Sequence, residues 1–520
     1  MGPMSPMPTV MGHKFSQVPQ AEIPRASFDR SHGHKTTFDA GKLIPIFVDE
    51  VLPGDTFNLN MSGFGRLATP LHPIMDNMFL ETFFFFVPNR LVWDNWEKFN
   101  GEQTDPGDST DYLIPTVGSG GLFPNEGSIW DHFGLPVGVD INQQFSALPF
   151  RAYNLIYNEW FRDQNLIDSL SVSRGDGPDL PSLYEIQRRG KRHDYFTSCL
   201  PWPQKGEAVS LPLSGNAPIA TNATTDTHVS VFSSDLDNQA TFDTDGLKLT
   251  ISSNFGNETM KLYADLSEVT SSTINDLREA FQVQKLLERD ARGGTRYTEI
   301  VQSHFGVTSP DARLQRPEYL GGGSTRLNIS PVAQTSESGS TTPQGNLAAL
   351  GTVGINSHGF TKSFTEHGHI IGLVCARADL TYQQGINRMW SRQGRFDYYW
   401  PALAHLGEQA VLNKEIYAQG TPADDEVFGY QERYAEYRYK PSQITGAFRS
   451  SAAQSLDTWH LSQDFASVPV LGKTFIEENP PVDRAIAVPS EPHLIFDSFF
   501  QLRCARPMPI YSVPGLIDHF

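Results

Sequence analysis

Basic side chains interleaved with aromatic rings are the residues of this chain best equipped for chemistry. In Arg388-Met389-Trp390-Ser391-Arg392-Gln393-Gly394-Arg395-Phe396, cations alternate with rings. Single-stranded nucleic acid is held by such a pattern, with backbone phosphates on arginine and bases stacked on rings. Tyr430 to Lys440 repeats the theme with Arg433, Tyr434, Tyr437, Arg438 and Tyr439. The densest basic stretch is Arg188-Arg189-Gly190-Lys191-Arg192-His193, which could contact phosphate. The DNA-contact candidates are therefore Arg188, Arg189, Lys191, Arg192, Arg388, Trp390, Arg392 and Arg395. The same residues also suit a solvated loop, core packing or subunit contact, and for the aromatic runs packing is the preferred reading.

Catalytic arrangements are harder to find. Neither GxSxG nor HExxH occurs, and no nucleophile with a base emerges, so no catalytic residue is assigned. Gly472-Lys473-Thr474 resembles a phosphate-binding loop, but Ser467 stands where its first glycine belongs and no helix pattern follows. His367 and His369 could share one strand face beside Glu366, yet a further metal ligand is missing, and a polar strand end is preferred. Asp424-Asp425-Glu426 could hold a divalent cation through oxygen, although a hydrated acidic loop is the default. Gly321-Gly322-Gly323 reads as a flexible turn. No cofactor or metal is expected.

The elements that would position these groups are mostly strands. Met78 to Val87 is an apolar, aromatic run closed by Pro88-Asn89 and too short to span a bilayer, which needs about 20 apolar residues, so it reads as a buried strand. Leu91, Val92, Trp93 and Trp96 then predict a short helix. Strands are expected near 43–51, 55–64, 78–88, 364–378, 427–439 and 492–506. Pro45 marks the first of these as an edge or bulged strand. Pro149 opens a predicted helix that places Phe150, Tyr153, Tyr157, Trp160 and Phe161 on one face, an aromatic stripe read as core. Pro401 could open another through Leu403, Leu406, Ala410 and Val411.

Composition agrees with short strands and many turns: 520 residues contain 43 Gly, 36 Pro and 11% aromatics, with only 19% charged. Cys199, Cys375 and Cys504 lie far apart without CxxC spacing, which fits a reducing cytoplasm better than a disulfide framework. The start, MGPMSPMPTVMGHKF, has neither a signal-peptide core nor a myristoylation motif, since Pro6 replaces the required hydroxyl residue. No membrane insertion is expected. A net charge of -19 is the wrong sign for a protein that condenses DNA alone.

The order of SFDRSHGHKTTFDAGKLIPIFVDEVLPGDTFNLN, GFGRLATPLHPIMDNMFLETFFFFVPNRLVWDNW, PFRAYNLIYNEWFRDQN, RGKRHDYFTSCLPWPQKG, the segment from Glu279 to Gly323, ADLTYQQGINRMWSRQ and CARPMPIYSVPGLIDHF resembles the major capsid protein of gokushoviruses, small tailless single-stranded DNA bacteriophages. The resemblance runs over most of the chain. It implies a mainly β fold, an eight-stranded antiparallel jelly roll with long loops, a few helices and a large surface insertion. It also implies a T=1 icosahedral shell of about sixty copies in pentameric units, assembled in the bacterial cytoplasm around circular single-stranded DNA. Implied partners are a small basic DNA-binding protein, a DNA pilot protein and a bacterial surface receptor.

Composition suggests divisions consistent with that picture. Residues 1–40 form an arm lacking its own core, in which Lys14, Arg25, Arg30 and Lys35 outnumber the acids. The core is expected over 41–205 and 273–506, with a Pro-rich tail at 507–520. Residues 206–272 are polar, carry nine acidic residues against Lys248 and Lys261, and offer alternating pieces for small hairpins. By resemblance they form a three-fold protrusion suited to host attachment. Residues 321–360, rich in Gly, Ser and Thr, are expected to be an extended arm or loop. Aromatic residues and acidic loops would also suit a carbohydrate-binding or carbohydrate-cleaving β-sandwich.

Overall fold

A computed structural model describes residues 24–118, 124–139, 145–207, 274–294, 296–307, 315–336 and 344–511, with short strands between 219 and 264. The chain divides into two compact units, Met1–Pro201 with Pro310–Phe520, and Trp202–Ser309.

The first unit is built on strand β5, Met78–Pro88. Strand geometry sends alternate residues to opposite faces. Met78, Leu80, Phe84 and Phe86 enter one apolar cluster, whereas Phe85 and Val87 enter another on the opposite face. Both faces are covered, and for that reason the run is apolar without alternation. Its antiparallel neighbour β9, Gly368–Ala378, behaves alike: Ile370, Val374 and Ala376 face one cluster, Ile371, Leu373 and Cys375 the other. These two strands are the inner pair of a sheet ordered β6–β5–β9–β3, with β3 at Ile44–Val51 and β6 at Glu318–Arg326. Pro45 does both things expected of it. β3 is an edge, and its register slips between Gly372 and Leu373, passing over Ile46.

The second sheet is one-sided and reads as strict alternation. In β4, Thr56–Leu67, Phe57, Leu59 and Met61 are buried while Asn58, Asn60 and Ser62 are exposed. β12, Leu494–Arg506, buries Leu494, Phe496, Phe500, Leu502 and Cys504 between exposed residues. β8, Leu347–Ser363, lies on the other side of β4, followed by β7, Asn328–Ala333. Inward residues of both sheets form one cluster, which makes the unit an antiparallel β-sandwich.

Several expectations need correction. Residues 26–38 are strands, not a coreless arm: β1, Ala26–Asp29, and β2, His32–Phe38, lie along the free edge of β12, pairing Ala26 with Arg506 and Phe38 with Leu494. Residues 1–23 and 512–520, parts of the expected arm and tail, lie outside the described residues. The stretch 321–360 supplies β6, β7 and most of β8 rather than an arm or loop. Its glycines permit close packing: a Cβ on Gly323 would stand 2.4 Å from the His358 ring, and one on Gly321 2.5 Å from the Gly359 carbonyl oxygen. Gly321-Gly322-Gly323 is thus a crowded strand segment, not a flexible turn. The strand expected over 364–378 begins at Gly368, and that over 427–439 ends early: β11, Val427–Glu432, gives way to a single 3-10 turn at Ala435–Tyr437. Pro401 opens only the turn Pro401–Leu403. Gly407 then takes a left-handed conformation, and Glu408–Leu412 alternates in burial as strand β10 paired with β11.

The predicted helix is present as α1, Leu148–Ile156, extended by a π-helical turn over Tyr157–Phe161. Phe150, Tyr153 and Tyr157 are buried against the outer face of β5 and β9. Arg151 is wholly buried and bidentate with Asp179, with both contacts at 2.7 Å, and it also donates to the Val92 and Gly175 carbonyls. The predicted helix after Trp93 is short, at Trp96–Phe99.

In the second unit, α2, Ile274–Gly293, follows a sequence close to a capping box, Thr273-Ile274-Asn275-Asp276, and ends at Gly293-Gly294, and α3, Tyr297–Phe305, comes next. Ser230–Phe232, Gln239–Thr244 and Leu249–Ser252 form a small antiparallel sheet, and Ile219–Thr221 pairs with Leu262–Ala264. Most of the remaining insertion lies outside the described residues. The compact unit continues beyond residue 272 to include α2 and α3.

Phe84 is fully buried between the sheets, against Phe47 and Phe360. Replacing it with Ala removes a ring that neither sheet can collapse to fill. Phe84→Ala should cost about 3–5 kcal/mol in urea denaturation of the soluble subunit, and a loss below about 1 kcal/mol would contradict this packing.

Candidate nucleic-acid and assembly surfaces

Glu81 is a carboxylate in the middle of β5, 5% exposed. Arg189 pairs with it, Arg377 donates to Oε1 at 2.8 Å, and Arg192 lies 3.4 Å from the same oxygen. Ser324 donates a further bond at 3.2 Å. Burial pushes the Glu81 carboxyl up, but the Arg189 charge and hydrogen bond, with Arg377 and Ser324, outweigh it and hold the group below its ordinary range. Arg189 also stands over the Phe83 ring at 4.9 Å, and Arg192 over Phe79 at 4.7 Å.

The local sequence cluster is split by this arrangement. Arg188 turns to the Ala40 and Glu478 carbonyls, at 3.3 and 3.1 Å. Lys191 is buried, donating to Gln463 Oε1 at 2.8 Å and the Phe475 carbonyl at 2.5 Å. Burial pushes its pKa down to about 8, against the opposing pull of Glu478 and Asp194. Arg189 and Arg192 alone of the four meet at Glu81. Sequence reasoning passed over Glu81 and Arg377. The available signal was a lone carboxylate within an otherwise apolar strand, which demands a counter-charge.

The second basic-aromatic run occupies a different surface. Arg388 donates to the Ala410 carbonyl at 2.8 Å and lies 3.2 Å from Glu415. Arg392 pairs with Glu436 at 3.1 Å and covers the Tyr437 ring at 4.4 Å. Arg395 stands 4.6 Å over Trp400, whose Nε1 donates back to the Arg395 carbonyl at 3.0 Å. These arginines brace rings that remain outside: Trp390 is 75% exposed and Phe396 65%, and Tyr398, Tyr399 and Tyr437 are exposed beside them. Exposed aromatic residues grouped in this way suit an interaction surface.

The suggested metal groups do not converge. Glu366 is bidentate with Arg90 at 2.7 and 3.0 Å, and His367 packs edge-on to Trp96. His369 is buried with Nδ1 2.8 Å from Asn89 Oδ1, and burial lowers its pKa to about 4. Asp424 accepts from the Gln419 and Gly420 amides, while Asp425 pairs with Lys414. Lys473, expected to open no helix, begins the single helical turn Lys473–Ile476 and faces Glu477 at 3.7 Å. Among the described residues, no helix is long and apolar enough to cross a membrane.

With this sandwich and its exposed aromatic surface established, comparison with known proteins is decisive. Residues 16–516 match the family described as Capsid protein (F protein). The chain belongs to this capsid protein family. It is 53% identical to capsid protein VP1 of Bdellovibrio phage phiMH2K, covering 98% of each chain. Identity is 47% to VP1 of Chlamydia phage 1, again over 98% of each, and 40% to VP1 of Spiroplasma virus 4 over 97% of each. The gokushovirus resemblance is therefore met. The capsid protein is a structural component of a virion and not an enzyme, and its rings and ion pairs are to be understood as parts of a shell subunit.

Removing the charge of Glu81 would leave Arg189 and Arg377 of the capsid protein packed without their carboxylate, while Arg192 would keep Asp379 at 3.4 Å. Glu81→Gln should destabilise the subunit by about 3–5 kcal/mol at pH 7 in urea denaturation. The Glu81 contribution is complete above the ordinary glutamate pKa and fades as pH falls through its lowered folded value. The difference between the two proteins should therefore begin to shrink as pH falls below the ordinary glutamate value of about 4.3, and a difference that stays constant with pH would refute the assignment.

Proposed function

We propose that this capsid protein builds a T=1 icosahedral shell of about sixty copies in pentameric units around circular single-stranded DNA. We read β3–β9 with β12 as an eight-stranded antiparallel jelly roll. Support comes from the division into two facing sets of four, β6–β5–β9–β3 and β12–β4–β8–β7, once the added edge of β1 and β2 is set aside. The sandwich is a rigid wedge, and its loops carry the association surfaces.

The observation that carries this reading is the braced aromatic patch around Trp390 and Phe396. It is apolar enough to be buried by a second copy, and its arginines are tied down within the subunit. Permanent interfaces of this kind bury more than about 2,000 Å² in total. Of the DNA-contact candidates, we further propose that Arg188, Arg189, Lys191 and Arg192 belong to the region nearest the DNA, whereas Arg388, Trp390, Arg392 and Arg395 belong to the assembly surface. The chain's net charge of -19 leaves condensation to other cations, supplied by a small basic protein or polyamines, while a DNA pilot protein completes the particle. The acidic insertion at 206–272 is assigned to the outside, where it would meet a bacterial surface receptor. Assembly is placed in the bacterial cytoplasm, a setting compatible with three buried free cysteines.

Electron microscopy of the purified protein should show shells or pentamers. The double variant Trp390→Asp, Phe396→Asp should keep the wild-type circular dichroism yet remain monomeric in sedimentation, and normal shells from it would remove the patch from the assembly interface. Deleting residues 210–265 should leave assembly intact and impair adsorption to the host. Failure of that variant to form shells would place the segment in the scaffold instead.

A further inference from the structure

Beside Glu81 lies a cleft of about 350 Å³ whose lining includes Trp160, Arg162, Arg189, Arg192 and Arg377. Its volume falls in the range of small-ligand sites, about 300–1,000 Å³. The lining is unbalanced in charge. Asp163 is its acidic member, and that carboxylate already accepts from the Asn165 and Leu166 amides. Outside the lining, Glu81 serves three guanidiniums at once, and Asp379 shares Arg192 with it. Burial, and then the Arg189 charge, make the protonated form of Arg377 harder to keep, as expected where an anion is wanting.

Two further observations point to a ligand. The Nε groups of Arg162 and Arg377 are buried and have no hydrogen-bond partner. Buried donors are normally paired; Arg392, Arg433 and Arg484 share this feature, and Arg162 and Arg377 are the two that line the cleft. Arg162 is otherwise fixed by a 2.7 Å bond to the Ile167 carbonyl, so its free N–H is held in place. The second observation is the π-helical turn Tyr157–Phe161, a geometry that recurs at functional sites. It brings Trp160 to the cleft two residues before Arg162. Trp160 is locked by its Nε1 bond to the Pro317 carbonyl at 2.9 Å and rests near Phe85 and Tyr319, yet remains 41% exposed. Arg316 adds a cation 5.2 Å from the same ring.

We propose that this cleft is a nucleotide site, in which Arg162 and Arg377 hold a phosphate and Trp160 receives an unstacked base. The proposal rests on the capsid reading, because the occupant is a nucleotide of the enclosed single strand. Duplex DNA has no free base face to offer the ring, whereas single strands are commonly held by stacking plus arginine. Arg162 and Arg377 were outside the basic runs picked out by sequence, since each stands alone among uncharged neighbours or beside an acid.

Binding of a labelled oligothymidylate to the purified full chain, measured by fluorescence anisotropy with inorganic phosphate as competitor, tests the site. Arg162→Gln should weaken both oligonucleotide and phosphate binding about tenfold or more, and Trp160→Ala should weaken the oligonucleotide alone by a similar factor. Trp160→Phe should restore most of the affinity and thereby exclude a folding defect. Phosphate binding with oligonucleotide affinity indifferent to Trp160→Ala would reduce the cleft to a free-anion site and overturn the proposal. Wild-type affinity in both variants, or no binding by the wild type, would overturn it as well. DNA-filled shells formed alongside such a result would leave the capsid reading standing, whereas a wild-type protein that forms no shells would sink that reading separately.

Discussion

Double burial of the β5–β9 pair is the constraint on which the first unit depends. One face of the pair packs on β4, β8 and β12, and the other on α1 with its flanking loops. A strand with one wet face can tolerate polar residues at every second position. A strand with none cannot, and β5 therefore reads as five phenylalanines in an apolar run. Among the described residues the second sheet has no covering layer on its outer face, which is why β4 and β12 alternate so regularly. The order of the layers thus follows from which strands can afford water.

Glu81 is the exception that shapes the neighbouring surface. Its position in the middle of β5 directs it toward the outer layer, where an uncompensated carboxylate would carry a large desolvation penalty. Arg377 on the paired strand β9, and Arg189 and Arg192 on the crossing loop, satisfy it from two directions. The result is a group of guanidiniums gathered by one buried acid, with Asp379 as a second partner of Arg192, at the edge of an apolar layer. A charge buried for structural reasons has in this way concentrated arginines beside a cleft, and the π-helical turn places an indole next to them.

Legibility in the sequence tracked how local each determinant was. β5, β12, the edge and bulge at Pro45, the start of α1 and the limits of α2 follow from periodicity and from proline or glycine within a few residues. The strands within 321–360 were hidden, because their glycines and hydroxyl residues look unfit for a core until the His358 ring and the Gly359 backbone are seen pressed against them. Pro401 was misleading for a similar reason: a helical starting signal is overridden when Gly407 turns the chain and β11 offers a partner. In the candidate sites, clustered arginines were visible as charge, but their division between inward carbonyls and Glu81 depends on contacts separated by more than a hundred residues. Arg151 and Asp179 were missed because nothing in the helix pattern distinguishes a buried arginine from an exposed one.

The contrast between the two basic-aromatic regions has a consequence for how a shell subunit can keep adhesive surfaces without collapsing onto itself. Around Trp390, each arginine is spent on an internal carboxylate, carbonyl or ring, so the outward rings present apolar area with little free charge. Such a surface gains by meeting another copy, where burial of rings outweighs the loss of solvent. Around Glu81 the balance is reversed: in the lining of the cleft, guanidinium groups exceed carboxylates. That surface gains by meeting an oxyanion. A single rigid sandwich can therefore carry a protein-seeking face and an anion-seeking cleft at once, with the discrimination set by whether local carboxylates match the arginines in number.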